Sequence, residues 1–345
     1  MKKMTTMKFL TYLLSFILFS TTANAQNWGV NTFSQFTNEA VDVEVDAAGN
    51  SYITGYLTGE TAFNTTNVVQ SALGNGDIYV AKYSPTGNLI WKETFGGNFS
   101  DRAVDLAIGP DQNIVVTGQF FGTVTFGNTT LTSAANSKDI FLLKLDPSGQ
   151  VIWAKKEGGN MSENAYGVTV DSQNNILLTG QFQGSTSIAG VPFTSALDPV
   201  TNLSSFDFFI SKYSSNGSDL WAKSGFAEYE DRGLAVAVDD ADNVFFTGQF
   251  SDTLSFAGNT YNNNGFNVGF VSKLSPTGQL IYFNQLKAGM VLPYDLEVDM
   301  DQNVVITGDF LGNLNYYDAT GIHSIQNPYS KQIFVIKTGN NGNYS

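Results

Sequence analysis

The chain lacks cysteine altogether and has one histidine, His323, among its 345 residues. Without cysteine it has neither a disulfide framework nor a lipid-modified thiol, so stability must come from a buried core and from strand pairing. One histidine excludes a histidine-rich metal site and argues against Ser-His-Asp or Cys-His catalysis. A glycine-rich phosphate loop that opens a helix is also missing, which removes the usual sequence signal for nucleotide binding.

Charged residues are scarce, at 14% of the chain, and the basic ones are the scarcest. The 17 Lys and Arg stand against 31 Asp and Glu, and loss of Lys2, Lys3 and Lys8 with an N-terminal leader would leave 14 − 31, or −17. Such a charge repels phosphate backbones and anionic lipid head groups. We therefore expect no nucleic-acid partner and no binding to a membrane surface.

Long apolar runs are missing beyond the N-terminus. Residues 1–25 combine basic residues, the apolar stretch FLTYLLSFILFS and the small-x-small sequence Ala23-Asn24-Ala25, which is typical of a secretory signal peptide. That stretch is about 12 residues, whereas a membrane span needs about 20. We expect an exported monomer without membrane insertion, secreted or extracytoplasmic (periplasm or cell surface), in which residues 26–345 form a single domain.

What the chain has instead is a repeat. A Thr-Gly pair after an apolar triplet recurs in steps of 63, 62, 68 and 60 residues, at 54–55, 117–118, 179–180, 247–248 and 307–308. Each unit predicts four strands, named a to d, which in the second repeat cover 103–109, 113–120, 139–146 and 150–159.

The links between these strands favour hairpins. Short Asp-, Asn- and Gly-rich links join a to b and c to d, and an alternating insert of about 15 to 20 residues between b and c predicts a hairpin that extends those two strands. Four antiparallel strands in repeats of about 60 residues are typical of propeller blades. The pattern predicts an all-β protein, a five-bladed β-propeller of four-stranded antiparallel blades.

The two ends of the chain complement each other. The last repeat supplies a (294–299), b (303–310) and c (332–337) but no d, while residues 27–36 resemble an isolated d strand in which Trp28 matches Trp91. Pairing these segments removes two exposed sheet edges. We expect the N-terminal strand to complete the last blade and close the ring.

The runs AVDVEVDAAGNSYITGYL and DIYVAKYSPTGNLIWKETFGG resemble the bacterial SBBP β-propeller repeat, which is similar in strand order to NHL-type blades. The resemblance covers 27–345 and includes the a–b turn, Thr-Gly, the lysine of strand c and the Gly-x-x-x-Trp of strand d. It implies a propeller fold. It implies little about chemistry, because such repeats occur in secreted and surface proteins of many roles.

Strand a should be innermost, and it carries acids at one position of three repeats that ring closure makes neighbours. These are Asp42, Asp105 and Asp295, with Glu44 and Glu297 two residues further along. Close carboxylates suit a cation site or the acid/base pair of a glycan-acting enzyme. They equally suit solvation of a water-filled channel or hydrogen bonds to backbone groups.

Three more recurrent sets have a structural and a functional interpretation. Asp-x-Asp spacing in the links 239–243 and 299–303 suits calcium or turn capping, and we favour capping. For the strand-c lysines we favour pairing or solvation within the blade, and for the strand-d tryptophans blade packing over sugar stacking. The two sets are Lys82, Lys144, Lys212, Lys273 and Lys337, and Trp28, Trp91, Trp153 and Trp221.

In a four-stranded blade the b–c and d–a connections emerge on one face of the ring, here called the loop-rich face. Its d–a loops vary among repeats, and variable loops on a rigid scaffold often carry binding residues. The ligand contacts we predict there are Asp101, Arg102, Glu163, Tyr229, Asp231 and Arg232.

These patterns favour a secreted, non-enzymatic binding scaffold that recognises a carbohydrate or protein ligand through the loop-rich face. The alternative is a glycan-acting hydrolase or lyase that uses Asp42, Asp105 and Asp295 in the central funnel. We expect no cofactor, and calcium at the same three aspartates is the one ion considered.

Overall fold

The computed structural model describes residues 33–34, 37–63, 68–70, 76–134, 137–263, 267–318, 321–327 and 330–343. The predicted signal peptide and most of the predicted N-terminal d strand, including Trp28, lie outside the described residues. Every strand pair described is antiparallel. In this part of the chain, no helix has the length and apolar character to cross a membrane.

Within the described ranges, thirty strands follow the repeats in order. The first repeat holds β1 (Phe33–Ser34), β2 (Asn38–Val45), β3 (Ser51–Leu57), β4 (Glu60–Ala62), β5 (Val68–Gln70), β6 (Asp77–Tyr83) and β7 (Leu89–Phe95). The second holds β8 (Arg102–Ile108), β9 (Ile114–Phe121), β10 (Thr123–Phe126), β11 (Thr129–Thr132), β12 (Lys138–Leu145) and β13 (Val151–Glu157). The third holds β14 (Glu163–Val170), β15 (Ile176–Gln183), β16 (Ser185–Ile188), β17 (Val191–Thr194), β18 (Phe206–Tyr213) and β19 (Asp219–Ser224).

The last two repeats are built in the same way. The fourth holds β20 (Arg232–Val238), β21 (Val244–Ser251), β22 (Leu254–Phe256), β23 (Asn259–Tyr261), β24 (Asn267–Leu274) and β25 (Leu280–Lys287). The fifth holds β26 (Met290–Val298), β27 (Val304–Leu311), β28 (Leu314–Asp318), β29 (Gly321–Ile325) and β30 (Gln332–Thr338).

The main sheets confirm the predicted strand order a-b-c-d in four repeats. These sheets are β2-β3-β6-β7, β8-β9-β12-β13, β14-β15-β18-β19 and β20-β21-β24-β25, whereas the fifth has the three described strands β26-β27-β30. Alternating apolar residues on short strands and turn residues between them suffice for this order, because both signals are local.

The b–c inserts form hairpins, but the prediction that they extend strands b and c is wrong. The pairs β10-β11, β16-β17 and β22-β23 are separate two-stranded sheets, and β28-β29 joins strand β25 of the preceding repeat. In the second and third repeats the chain leaves strand b through Gly122 (φ 74°) and Gly184 (φ 69°). This left-handed conformation favours glycine and turns the chain out of the main sheet.

The apolar core lies between neighbouring sheets. Successive clusters join the first repeat to the second, the second to the third, the third to the fourth and the fourth to the fifth. A further cluster, around Leu57 and Tyr79, draws on the first repeat alone. Each sheet therefore buries its faces against its neighbours in the repeat array.

Ion pairs confirm that the strand-c lysines are structural. Each lysine pairs with an aspartate at the end of strand a or in the a–b turn of its own repeat, at 2.5–3.7 Å: Lys82–Asp46, Lys144–Asp111, Lys212–Asp171, Lys273–Asp239 and Lys337–Asp299. In the first four repeats the ammonium group also donates to a carbonyl in the c–d turn of the next repeat, at 3.3–3.4 Å. The lysines thus tie neighbouring repeats together.

The described tryptophans pack between repeats rather than within one. Trp221 Nε1 donates to the Pro276 carbonyl oxygen of the next repeat at 3.1 Å, and its ring lies against Gly278, where a Cβ atom would stand 3.0 Å away. Gly278 has a φ of +79°, so glycine suits this turn for backbone conformation as well as for space. Trp91 and Trp153 make the equivalent contacts.

Candidate functional site

One central cavity is lined by the first strands of all five repeats, β2, β8, β14, β20 and β26. Its volume is about 280 Å³. Asp42, Asp105 and Asp295 line it, together with Glu44 and Glu297. The structure thus brings together all five acids that the sequence places on the innermost strand.

A β-bulge occurs at the same place in each first strand. In β8 the register shifts between Ala103 and Asp105, and the other four strands shift at the equivalent position. The extra residue is Tyr166 in β14 and Tyr294 in β26, and both line the cavity. Bulges re-aim side chains. Sequence reasoning missed these tyrosines, although each stands one residue before the aligned aspartate position.

Asp42 and Asp105 bind the backbone of neighbouring repeats. Asp42 Oδ2 accepts a hydrogen bond from the Leu106 amide in the second repeat at 2.9 Å. Asp105 Oδ2 accepts one from the Val168 amide in the third repeat at 2.6 Å, and its Oδ1 accepts from Leu106 at 3.0 Å. Each carboxylate therefore connects two first strands, as the structural interpretation of these residues predicts.

The equivalent position differs in the other repeats. Gly167 and Ala235 occupy it in the third and fourth, so no carboxylate is placed there. Asp295 is exposed, and its Oδ1 accepts a hydrogen bond of 2.8 Å from the following amide, Leu296. Asp295 is thus the aspartate of the three with the most solvent-accessible side chain.

Burial and mutual repulsion raise the pKa of the central carboxyls. Burial first, and then repulsion from Asp42, place the pKa of Asp105 well above its ordinary range. Partial desolvation inside the cavity, followed by repulsion from neighbouring carboxylates, also raises the pKa of Asp295, Glu44 and Glu297, although their side chains keep exposed surface. The cavity therefore favours protons or other cations over anions.

The acidic residues of the cavity do not assemble an evident metal centre. Among the described residues, no three Asp, Glu or His side chains converge as metal ligands would. Calcium at Asp42, Asp105 and Asp295 stays a prediction.

Three of the six predicted contacts on the loop-rich face are buried. Asp101, Glu163 and Asp231 have no exposed surface and stand at equivalent places where strand a begins. Asp101, for example, accepts hydrogen bonds from the amides of Phe121 and Gly97 at 3.0 and 2.9 Å. These carboxylates hold the backbone of the loop-rich face and lie out of direct reach of a ligand at the surface.

Each of these buried acids lies near a second buried acid at the start of strand c. The pairs are Asp77 with Asp101, Asp139 with Glu163 and Asp207 with Asp231. Burial is the largest cause that raises the pKa of Asp101 to about 6, that of Glu163 to about 8 and that of Asp207 to about 7. Carboxyls of this kind hold protons near neutral pH.

The other three predicted contacts stay at the surface. Arg102 is exposed, and Tyr229 and Arg232 are half-buried. Arg102 stands 5.7 Å from the centre of the Tyr56 ring, and Arg232 forms an ion pair of 2.9 Å with Glu230. Their charged groups are held in place without being removed from solvent.

Arg102 and Arg232 both act electrostatically on Tyr166. Burial raises the pKa of the Tyr166 hydroxyl, and the positive charges of Arg232 and Arg102 oppose that rise. Both guanidinium groups therefore lie within electrostatic reach of a tyrosine that lines the cavity. We call Tyr56, Arg102, Tyr166 and Arg232 the central mouth.

Comparison with known proteins supports the repeat architecture. No family model matches the chain. The uncharacterized WD repeat-containing protein L264 of Acanthamoeba polyphaga mimivirus is 28% identical in an alignment of 218 positions, and the match covers 54% of this chain and 15% of that protein. A solved structure, a protein of unknown function from Bacteroides caccae, shares 8% identity with a TM-score of 0.39, over 84% of this chain and 92% of that one.

WD repeats build propeller blades, so the likeness to L264 agrees with the antiparallel sheets described above. The chain is accordingly a β-propeller-like repeat protein. Because it spans so little of L264, no activity or partner of that protein is carried over. The SBBP type and a bacterial origin stay predictions.

Proposed function

We propose that this protein is a secreted, non-enzymatic binding scaffold, a five-bladed propeller that takes a carbohydrate or protein ligand at the loop-rich face. The observation that carries the proposal is the central mouth: the accessible Arg102 and Arg232 begin the two strands that pack on either side of β14, and Tyr166 of β14 lines a cavity of about 280 Å³. A concave site with a few convergent polar and aromatic groups is typical of ligand recognition. Tyr229, half-buried in the loop before Arg232, completes the proposed contact set.

Ring closure belongs to the same proposal. Phe33 pairs with Ala62 just as Phe226, which follows strand d of the third repeat, pairs with Ser255. The chain thus enters the first repeat as if it came from a strand d. We propose that the segment 27–36, most of which lies outside the described residues, supplies this strand and completes the last blade.

Apolar side chains on both sides of the proposed closure support it. Val43 is 56% exposed on β2 and Val335 is 66% exposed on β30. Their counterparts Leu106 and Leu142 in the second repeat are buried at 2% and 0%. Packing the fifth repeat against the first would bury these side chains, which stabilises by roughly 25 cal/mol per Å² of apolar surface.

The hydrolase or lyase alternative has less support from the geometry. Asp42 and Asp105 both accept hydrogen bonds from the Leu106 amide, and Asp105 accepts another from the Val168 amide, so both carboxylates are engaged by the backbone. A glycosidase keeps its two carboxyls about 5 Å or more apart to hold the scissile bond between them. Incubation with mixed plant and bacterial polysaccharides tests the point, since release of reducing sugar that Asp105→Asn abolishes would establish the enzyme.

Arrays of glycans and of proteins test the binding proposal. We expect the mature chain to be retained on a subset of spots, and the double variant Arg102→Glu with Arg232→Glu to lose that retention. Lys138→Glu is the matched control, because Lys138 is an exposed cation at the start of β12. Retention that survives the double variant, or no retention at all, would refute binding at the central mouth.

A further inference from the structure

The central mouth holds every arginine of the chain. Arg102 and Arg232 are the two arginines among 345 residues, and the other basic residues are lysines. They occupy equivalent positions, the first residue of β8 and of β20, on either side of the repeat that carries Tyr166. Arginine differs from lysine in its planar fork of donors, which matches a carboxylate in two parallel hydrogen bonds. The placement therefore favours a carboxylate as one part of the ligand.

The surrounding charge sharpens this point. The chain has a formal net charge of −14, so an anion is repelled over most of its surface. Arg102 lies over the Tyr56 ring, a contact that leaves the edge of the guanidinium able to donate. Arg102 therefore presents its donors to an anion, and Arg232, which pairs with Glu230 through one nitrogen, presents its remaining donors.

Beneath the mouth the charge changes sign. Arg102 and Asp105 belong to the same strand and stand three residues apart, which is at most roughly 10 Å at about 3.3 Å per residue, and the bulge between Ala103 and Asp105 shortens this distance. Asp295, Glu44 and Glu297 are exposed to the cavity, unlike Asp42 and Asp105, which bind backbone amides of neighbouring repeats. Their raised pKa values reflect burial and repulsion that a bound cation would relieve.

We propose that the central mouth binds a C-terminal lysine or arginine of a peptide or protein. The terminal carboxylate lies between Arg102 and Arg232, the apolar part of the side chain passes Tyr166, and the side-chain cation reaches Asp295, Glu44 and Glu297. This inference rests on the proposed binding function and specifies its ligand. A cavity of about 280 Å³ suits one side chain, because it is slightly smaller than the sites of drug-sized ligands.

The carboxylate of an acidic sugar could bind the arginines, but the sugar has no cation for the carboxylates of the cavity. Its hydroxyl groups donate hydrogen bonds to carboxylates without neutralising their charge, whereas an ammonium or guanidinium group does both. A ligand with both charges therefore matches the arginines of the central mouth and the carboxylates of the cavity below them.

Calorimetric titration of the mature chain with three small probes at neutral pH and low salt tests the proposal. Nα-acetyl-lysine carries both charges, Nα-acetyl-lysine amide lacks the carboxylate, and Nα-acetyl-norleucine lacks the cation. We expect Nα-acetyl-lysine to bind about 10-fold more tightly, or better, than either of the others. Sodium glucuronate serves as the sugar probe and should bind more weakly than Nα-acetyl-lysine.

Variants assign the two ends of the ligand. Arg102→Gln with Arg232→Gln should abolish the preference for the acid over the amide, whereas Glu297→Gln should reduce the preference for lysine over norleucine. Lys138→Gln, on the same face, should change neither. These side chains are exposed or half-buried, and an unchanged melting temperature would show that each variant is folded.

Four results would overturn the inference. Equal binding of the acid and the amide would show that the arginines do not bind the carboxylate. Equal binding of the lysine and norleucine probes would show that the acidic cavity does not bind the side-chain cation. Tighter binding of glucuronate would make a sugar the ligand while leaving the proposed binding function intact. No binding of any probe would also refute it, and the array experiment would then judge the binding function separately.

Discussion

Asp207 should make the stability of this protein fall as the pH rises towards neutrality. Its carboxyl is buried, and burial raises its pKa from 3.8 to about 7. The unfolded chain releases this proton at about pH 4, whereas the folded protein keeps it to about pH 7. Its contribution to the free energy of unfolding is therefore fully present below pH 4 and is lost as the pH rises through that window, by roughly 4 kcal/mol.

Urea unfolding of the wild type and of Asp207→Asn, at about pH 5 and pH 8, measures this effect. The wild type should lose about 2–3 kcal/mol more than the variant between these two pH values, because asparagine does not titrate. The variant should also lose one hydrogen bond at either pH, because both oxygens of Asp207 accept from backbone amides, those of Ala196 at 2.7 Å and Ala227 at 3.3 Å, whereas asparagine has one accepting oxygen.

Asp301→Asn is the control for this experiment, because it also removes one carboxylate but at an exposed position in a turn. If Asp207→Asn kept the pH dependence of the wild type, Asp207 would not be the protonated group and the reasoning from its burial would fail.

Three further predictions concern the contacts that join the repeats. Trp221→Ala should lower the free energy of unfolding by about 2–4 kcal/mol in urea titrations, through lost packing and a lost hydrogen bond, and a loss under 1 kcal/mol would contradict this role. Lys212→Ala should cost about 3–5 kcal/mol in the same assay because it leaves Asp171 charged and buried, whereas Lys223→Ala should cost little. Deletion of residues 26–37 should lower the melting temperature or cause aggregation, and an unchanged melting curve would argue against ring closure by this segment.

The binding and structural roles use different parts of the same repeat. The lysines and tryptophans act at the end of the sheets that carries the a–b and c–d turns, whereas the proposed ligand meets the loop-rich face. Substitutions at Trp221 should therefore affect stability more than ligand affinity, and those at Arg102 the reverse. This separation allows each role to be tested without disturbing the other.

Several predicted site residues show how far local reasoning extends. Asp101 and Asp231 precede arginines in variable loops, which suggested an exposed ligand contact. In the structure both carboxylates are buried, near the strand-c acids Asp77 and Asp207. Asp101 accepts a hydrogen bond from the Phe121 amide, and Asp231 accepts one from the Ser251 amide. Whether a loop carboxylate points outward depends on what folds over it, and that information is non-local.

The sequence by itself determined the all-β class, the period of about 60 residues, the order of four strands and the structural role of the strand-c lysines. Alternating apolar residues and turn residues act over a few positions, so these features can be predicted from a single chain. The tertiary structure alone decided that Arg102 and Arg232 stand on either side of the repeat that carries Tyr166, within electrostatic reach of its hydroxyl group, and that Asp101 and Asp231 are buried. Residues about 60 positions apart become neighbours there because the first strands line a common cavity, and the β-bulge, which no local signal marks, directs Tyr166 into it.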